Sequence, residues 1–152
     1  MVRYIKGPEI EASQRRVERN IMSKFARFHG LDYELMPVLS PFDGVFLDKV
    51  TGQVRFLAEC KRRYHKFGRY ETYLIDALKI ATARELARVG QFAEVVLLVE
   101  WDDCTRYYVY RVSRGIRRFP LRIMERKDRN DPYDKDLVLE IPISLFIEIP
   151  RR

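Results

Sequence analysis

Hydrophobic and polar residues alternate along two short segments that flank Val50-Thr51-Gly52. Alternation is typical of strands with one buried face, and a three-residue loop containing glycine is a common hairpin connection. We therefore predict a β-hairpin over residues 41–61. Its predicted facing pairs are Lys49 with Gln53, Leu47 with Arg55, Val45 with Leu57, Asp43 with Glu59 and Pro41 with Lys61. Asp43, Glu59 and Lys61 then share one face at one end of the hairpin, opposite a nearly apolar face.

Hydrophobic residues at helical spacing predict two helices, one on each side of this hairpin. The first runs from Glu9 to about Phe28 and ends at His29-Gly30, and the second runs from about Thr72 to Val89 and ends at Gly90. Their predicted buried stripes are Ile10, Val17, Ile21, Phe25 and Phe28 in the first helix and Leu74, Ile75, Leu78, Ala81, Leu86 and Val89 in the second.

Further strands are predicted by apolar runs of strand length. Residues 32–39 form an edge strand or connector, and the continuous run from Ala93 to Trp101 is typical of a central strand covered on both faces. Asp102 and Asp103 are interpreted as turn residues before a return strand over 105–112. A final strand with a short helical turn is predicted at about 137–149. The whole chain is expected to be one α/β domain over 1–152.

Composition indicates a soluble globular protein with an anionic partner. Of its 152 residues, 47% are hydrophobic and 34% are charged, and the formal net charge is +7. Cys60 and Cys104 make no disulfide framework and favour a reducing compartment. We find no apolar signal core, and the longest apolar run, 95–99, is too short to span a membrane. These features predict a cytoplasmic protein with no membrane partner.

Basic and aromatic residues gather in two places that suit a nucleic acid. One is the loop at 62–70, and the other is a basic arm at about 113–130. Cations neutralise phosphates, while aromatic rings can stack on unpaired bases. The candidate nucleic-acid-binding residues are Arg62, Arg63, Tyr64, Lys66, Arg69, Tyr70, Lys79, Arg117 and Arg118.

The polar end of the hairpin carries the candidate chemistry. Two carboxylates, Asp43 and Glu59, together with the ammonium group of Lys61 are the residue types expected of a metal site with an assisting lysine. Glu18 lies beside the buried stripe of the first helix and could reach the same site. The alternative is an exposed ion pair, which contributes only about 0–1 kcal/mol to stability.

These residues resemble the PD-(D/E)XK nuclease superfamily. Its signature is an acid near the start of one strand and Glu-x-Lys on the next, here Asp43 and Glu59-Cys60-Lys61. Glu18 matches the first-helix acid of archaeal Holliday-junction resolvases, and the run 59–63 is most similar to small phage-encoded members. The proline usually found just before the first acid stands two residues earlier, at Pro41. The resemblance implies a restriction-endonuclease-like core, with a central mixed β-sheet flanked by helices in α-β-β-β-α-β order.

The same resemblance implies a metal-dependent DNA endonuclease that hydrolyses phosphodiester bonds, with Mg²⁺ as cofactor and Mn²⁺ able to substitute. Asp43, Glu59 and the backbone carbonyl of Cys60 are the expected ligands. Glu18 acts through water or holds a second ion, and Lys61 orients the attacking water. The resemblance leaves open whether the site binds one metal ion or two. The substrate is expected to be a DNA structure such as a Holliday junction, met in phage recombination, repair or genome processing in the host cytoplasm.

Two other functions remain open from the sequence. One is a non-catalytic DNA-binding module that retains the nuclease fold, and the other is an RNA-directed nuclease. A two-fold symmetric substrate would favour a homodimer.

Overall fold

The computed structural model describes residues 8–90, 94–112, 119–125 and 135–151. In chain order the elements are α1 (Pro8–His29), β1 (Asp32–Leu35), β2 (Gly44–Leu47), β3 (Val54–Arg62), β4 (Thr72–Asp76), α2 (Ala77–Gly90), β5 (Glu94–Glu100), β6 (Thr105–Arg111), β7 (Leu121–Glu125), β8 (Lys135–Pro142), a 3-10 turn (Ile143–Leu145) and β9 (Ile147–Glu148). Within the described ranges, neither helix is both long and apolar enough to cross a membrane.

Two sheets organise these strands. The larger has the order β1-β2-β3-β5-β6-β9, and the smaller has the order β4-β8-β7. In the larger sheet β3 and β5 are parallel and all other neighbours are antiparallel. Parallel neighbours need a long crossover, which β4 and α2 supply here. The predicted α/β class with a central mixed sheet is confirmed.

The hairpin of β2 and β3 keeps the predicted register at the end that carries the acids. Val45 pairs with Leu57, and the Asp43 N–H donates to the Ala58 carbonyl at 3.0 Å. Both faces of the hairpin are buried, because Val45 and Leu57 belong to one apolar cluster and Ala58 to another. The acid end therefore lies against packed protein on both sides of the sheet.

At the turn the predicted register is wrong. A bulge follows Phe46, so Leu47 pairs with Val54, and the Asp48 N–H donates to the Gln53 carbonyl at 2.9 Å. The Asp48 carboxylate accepts hydrogen bonds from the N–H groups of two loop residues, Val50 and Thr51, at 2.9 Å each, and these bonds set the shape of the loop and shift the register. The predicted pairs of Lys49 with Gln53 and Leu47 with Arg55 are therefore not formed.

Helix α1 lies on the larger sheet, as its periodicity predicts. Its buried residues are Ile21, Met22, Phe25 and Ala26, whereas the predicted stripe members Ile10 and Phe28 are 56% and 39% exposed. The helix packs tightly against Gly44, where an added Cβ would lie 2.5 Å from the Met22 sulfur. Glycine at this position therefore allows α1 to approach β2.

The second helix begins five residues later than predicted. Residues 72–76 form β4 and pair with β8, and α2 starts at Ala77. Its buried residues are Ala77, Ile80 and Ala83. Of the predicted stripe, Leu78, Leu86 and Val89 are instead exposed. The predicted stripe is wrong because Leu74 and Ile75, which set its phase, belong to the preceding strand.

The central strand and its turn follow the prediction. All five residues from Val95 to Val99 are fully buried in β5. Asp102 accepts a hydrogen bond from Arg62 at 2.7 Å, and Asp103 accepts the Phe67 N–H at 2.8 Å. Both aspartates are thus turn residues that hold the loop after β3.

The C-terminal half departs from prediction in two ways. The short helical turn expected within 137–149 is present as the 3-10 turn, but it divides the expected single strand into β8 and β9, which belong to different sheets. The expected basic arm contains strand β7, in which Arg122 contacts Glu140 at 3.1 Å. Arg117 and Arg118 lie outside the described residues.

Candidate active site

Glu59 lies at the centre of the candidate site, in β3 between β2 and β5. Its side chain is only 1% exposed. Burial raises the pKa of Glu59, and the nearby Asp43 carboxylate raises it further. Two ammonium groups oppose this shift, because Lys79 Nζ lies 2.6 Å from Oε2 and Lys61 Nζ lies 3.5 Å from Oε1. The alternative of an exposed ion pair is therefore excluded for this carboxylate.

Asp43 is brought to Glu59 by the register of the hairpin. Its Oδ2 accepts a hydrogen bond from the Cys60 N–H at 2.7 Å. This contact holds the aspartate carboxylate over the segment of β3 that carries Glu59. The sequence-predicted pair of acids is thus brought together on adjacent strands.

Glu18 reaches the same place from α1. The pKa of Glu18 is raised to about 7, first by burial and then by the Asp43 carboxylate, which also shares a hydrogen bond with it. Arg15 opposes this rise, with its guanidinium 3.6 Å from the Glu18 carboxylate. Arg15 also donates to the Met36 carbonyl at 2.6 Å, which anchors this end of α1 to the segment before β2.

The sequence analysis did not identify Arg15 as a partner of Glu18, although the spacing of the two residues in the helix indicates that they can be in contact. Arg15 precedes Glu18 by three residues, a spacing that puts two side chains on one side of a helix. Tyr73, whose spacing with Asp76 and Lys79 left open whether it faces the polar end of the hairpin or water, is buried near Glu59 because it belongs to β4. Burial raises the pKa of Tyr73, and the Glu59 charge adds to the rise.

The side chain and the backbone of Cys60 have different roles at the site. Its side chain is buried in the apolar cluster beneath α1, where burial raises the pKa of the thiol well above its ordinary value. Its backbone N–H binds Asp43. The thiol itself is therefore a packing group.

A cleft of about 1270 Å³ opens beside Glu59, between the larger sheet and the smaller one. Both lysines that contact Glu59 line it, together with Arg63, Arg69 and Tyr70 from the loop after β3. Tyr64 and Lys66 of the same loop do not line the cleft, and Tyr64 is 78% exposed.

Arg62 makes contacts within the protein. Its guanidinium binds Asp102 at 2.7 Å and the Glu100 carbonyl at 3.3 Å, and it also contacts the Arg63 carbonyl. It lies 4.5 Å from the centre of the Tyr64 ring. Arg62 thus ties the loop after β3 to the turn between β5 and β6.

The acids of the site fit a divalent cation by the chemistry of their donors. Within the residues that the structure describes, no three acidic, histidine or cysteine side chains already form a complete metal-binding group. However, the Asp43 carboxylate raises the pKa of both Glu18 and Glu59, so the three carboxyl groups lie close enough to interact. Hard oxygen donors of this kind suit Mg²⁺.

Comparison with known protein families identifies the chain. A family model described as "Phage putative PDDEXK endonuclease" matches residues 8–149. The chain belongs to this family. The predicted PD-(D/E)XK resemblance and nuclease function are therefore confirmed. No curated protein sequence gives a significant match to this phage-type endonuclease.

A solved structure shares the fold of this PD-(D/E)XK endonuclease. It is Hjc of Archaeoglobus fulgidus, a Holliday junction resolvase from an archaeal hyperthermophile. The two chains are 14% identical and superpose with a TM-score of 0.53 over 88% of this chain and 89% of Hjc. At this identity the likeness concerns the fold.

Proposed function

We propose that this endonuclease hydrolyses phosphodiester bonds in DNA with Mg²⁺ as its cofactor and with Mn²⁺ able to substitute. Asp43, Glu59 and the Cys60 carbonyl are the ligands, and Glu18 acts through water or holds a second ion. One observation supports this above the others. Asp43 lies close enough to Glu59 to raise the pKa of that carboxyl group, and Glu59 lines a cleft that is also lined by cations.

When bound, the metal ion offsets charge on the phosphoryl oxygens and favours deprotonation of the attacking water. The protein supplies the remaining groups. Lys61 orients the water and stabilises developing negative charge. Its side chain is 46% exposed, and its 3.5 Å contact with Glu59 is loose enough to be exchanged for a phosphate oxygen. Burial of Glu59 strengthens these electrostatic contacts, because water screens them less.

The cleft forms the proposed nucleic-acid interface. Arg63 and Arg69 neutralise phosphates, and Tyr70 offers a ring that is 56% exposed. Tyr64 and Lys66 extend this surface along the same loop. Arg117 and Arg118 remain predicted contacts outside the described residues.

Branched DNA is the proposed substrate class, in phage recombination, repair or genome processing in the host cytoplasm. Support comes from the archaeal neighbour, which is a Holliday junction resolvase. A branched junction with two-fold symmetry suits a homodimer, which would bring one cleft to each of two strands. Light scattering of the protein with and without a junction measures this assembly.

Cleavage assays on branched, duplex and single-stranded DNA and on RNA, with Mg²⁺, Mn²⁺ or EDTA, test the function. Lys61→Ala and Glu59→Ala are compared with wild type, and Lys49→Ala, an exposed lysine at the far end of the hairpin, is the matched control. We expect Lys61→Ala to lower cleavage by about 10²–10⁴-fold and to retain DNA binding. Lys49→Ala should cut like wild type.

Three results would contradict this proposal. Equal cutting by wild type, Lys61→Ala and Glu59→Ala would show that the activity does not come from this site. Binding without cutting under any metal condition would favour the non-catalytic module. Cutting of RNA alone would favour the RNA-directed nuclease.

A further inference from the structure

Lys79 and Lys61 contact Glu59 unequally. Lys79 Nζ lies 2.6 Å from Oε2, whereas Lys61 Nζ lies 3.5 Å from Oε1. The Glu59 side chain is 1% exposed, so water cannot replace the Lys79 contact easily. One carboxylate oxygen is therefore tightly occupied from within the protein, and the other is only loosely occupied.

The position of Lys79 makes this contact informative. Helix α2 begins at Ala77, and Asp76 accepts the Leu78 N–H at 2.9 Å, so Lys79 lies in the first turn. That turn contains no acidic residue. A cation at a helix N-terminus is disfavoured by the helix dipole. The buried Glu59 carboxylate offsets this cost, which ties the start of α2 to the site.

We propose that Lys79 is a positioning residue that holds Glu59 Oε2, so that Oε1 is the oxygen presented to the metal ion. The inference rests on the proposed function, in which Glu59 is a ligand. Metal-binding carboxylates are commonly oriented by a second hydrogen bond, and loss of that partner costs about 10–100-fold in metal affinity. Lys79 thus acts on the metal through Glu59, while Lys61 acts on the reacting groups.

Metal titration without DNA tests this assignment. Mn²⁺ binding to the intact chain is followed by electron paramagnetic resonance, and Mg²⁺ binding by calorimetry. Lys79→Met keeps the length of the side chain and removes the charge. We expect it to bind either ion about 10–100-fold more weakly. Lys79→Arg should recover part of the affinity, and Lys61→Met should bind metal at least as tightly as wild type, because Lys61 contacts the oxygen that the metal ion takes.

Cleavage kinetics supply a second readout. In Lys79→Met, lost cutting should recover in part when the metal concentration is raised by the factor lost in affinity. In Lys61→Met, added metal should not restore cutting. Lys24→Met is the matched control, because Lys24 makes a similar 2.8 Å contact with Glu100 outside this cleft. It should leave metal affinity unchanged.

Equal or tighter metal binding by Lys79→Met would overturn the inference. The same holds if Lys24→Met weakens metal binding as much as Lys79→Met does. Glu59→Gln separates this failure from failure of the proposed function. If Glu59→Gln loses metal binding while Lys79→Met keeps it, only the positioning role is wrong. If Glu59→Gln binds metal like wild type, the proposed ligand set itself is wrong.

Discussion

Replacing Glu18 with glutamine should change how the stability of the protein depends on pH. The Glu18 carboxyl shares a hydrogen bond with Asp43, and the pKa of Glu18 is raised to about 7 by burial and by the Asp43 charge. Glutamine has nearly the same shape as a protonated glutamate and donates an N–H in place of the acid O–H. Glu18→Gln is therefore a permanent mimic of the protonated state.

The magnitude follows from the rise in pKa. An increase from 4.5 to about 7, at about 1.4 kcal/mol for each pKa unit, corresponds to about 3 kcal/mol. The folded protein binds this proton more tightly than the unfolded chain. Its contribution is therefore fully present below pH 4.5 and is lost as pH rises through about 7. The Glu18 side chain is 18% exposed, so we expect a measured difference of about 1–3 kcal/mol.

Urea unfolding in EDTA between pH 4.5 and pH 8 measures this difference. Glu18→Gln should match wild type near pH 4.5 and exceed its free energy of unfolding by about 1–3 kcal/mol at pH 8. Glu9→Gln removes the same charge from an exposed position on the same helix and is the matched control. A difference between Glu18→Gln and wild type that stays constant across this range would refute the reasoning.

Two further predictions concern packing and the loop after β3. Gly44→Ala should lower the free energy of unfolding by about 1–3 kcal/mol, because the added Cβ would lie 2.8 Å from the backbone carbonyl oxygen of Glu34 on the neighbouring strand and 2.5 Å from the Met22 sulfur. Urea unfolding measures the loss, and an unchanged midpoint would contradict the close approach. Arg62→Ala should lower thermal stability and leave DNA affinity largely unchanged, because its guanidinium binds Asp102 and Glu100. A loss of affinity without a loss of stability would instead assign Arg62 to the interface.

The acid pair was predictable because a hairpin is a local structure. Alternation over 41–61 is enough to put Asp43 opposite Glu59. The wrong register at the loop affects only the pairs next to the turn and leaves the pairing at the acid end unchanged. That error came from the Asp48 side chain, whose bonds to two loop N–H groups shift the pairing near Leu47. The pattern of alternating residues does not contain this information.

The start of α2 was not predictable from its own residues. Leu74 and Ile75 fit a helical stripe, and Thr72 to Asp76 also fit a strand. Pairing with β8, more than sixty residues away in the chain, favours the strand. Because residues 72–76 pair as a strand, the helix starts at Ala77, and Lys79 lies in its first turn, beside Glu59.

The sequence by itself determined the family signature, the pairing of Asp43 with Glu59, helix α1 and the buried strand β5, because each depends on residues that are near one another in the chain. Only the tertiary structure decided that Glu18 meets Asp43 and that Lys79 holds Glu59. Those contacts depend on how closely α1 approaches Gly44 and on a second sheet built from distant strands. Long-range packing of this kind leaves no periodic pattern in the segments that it joins.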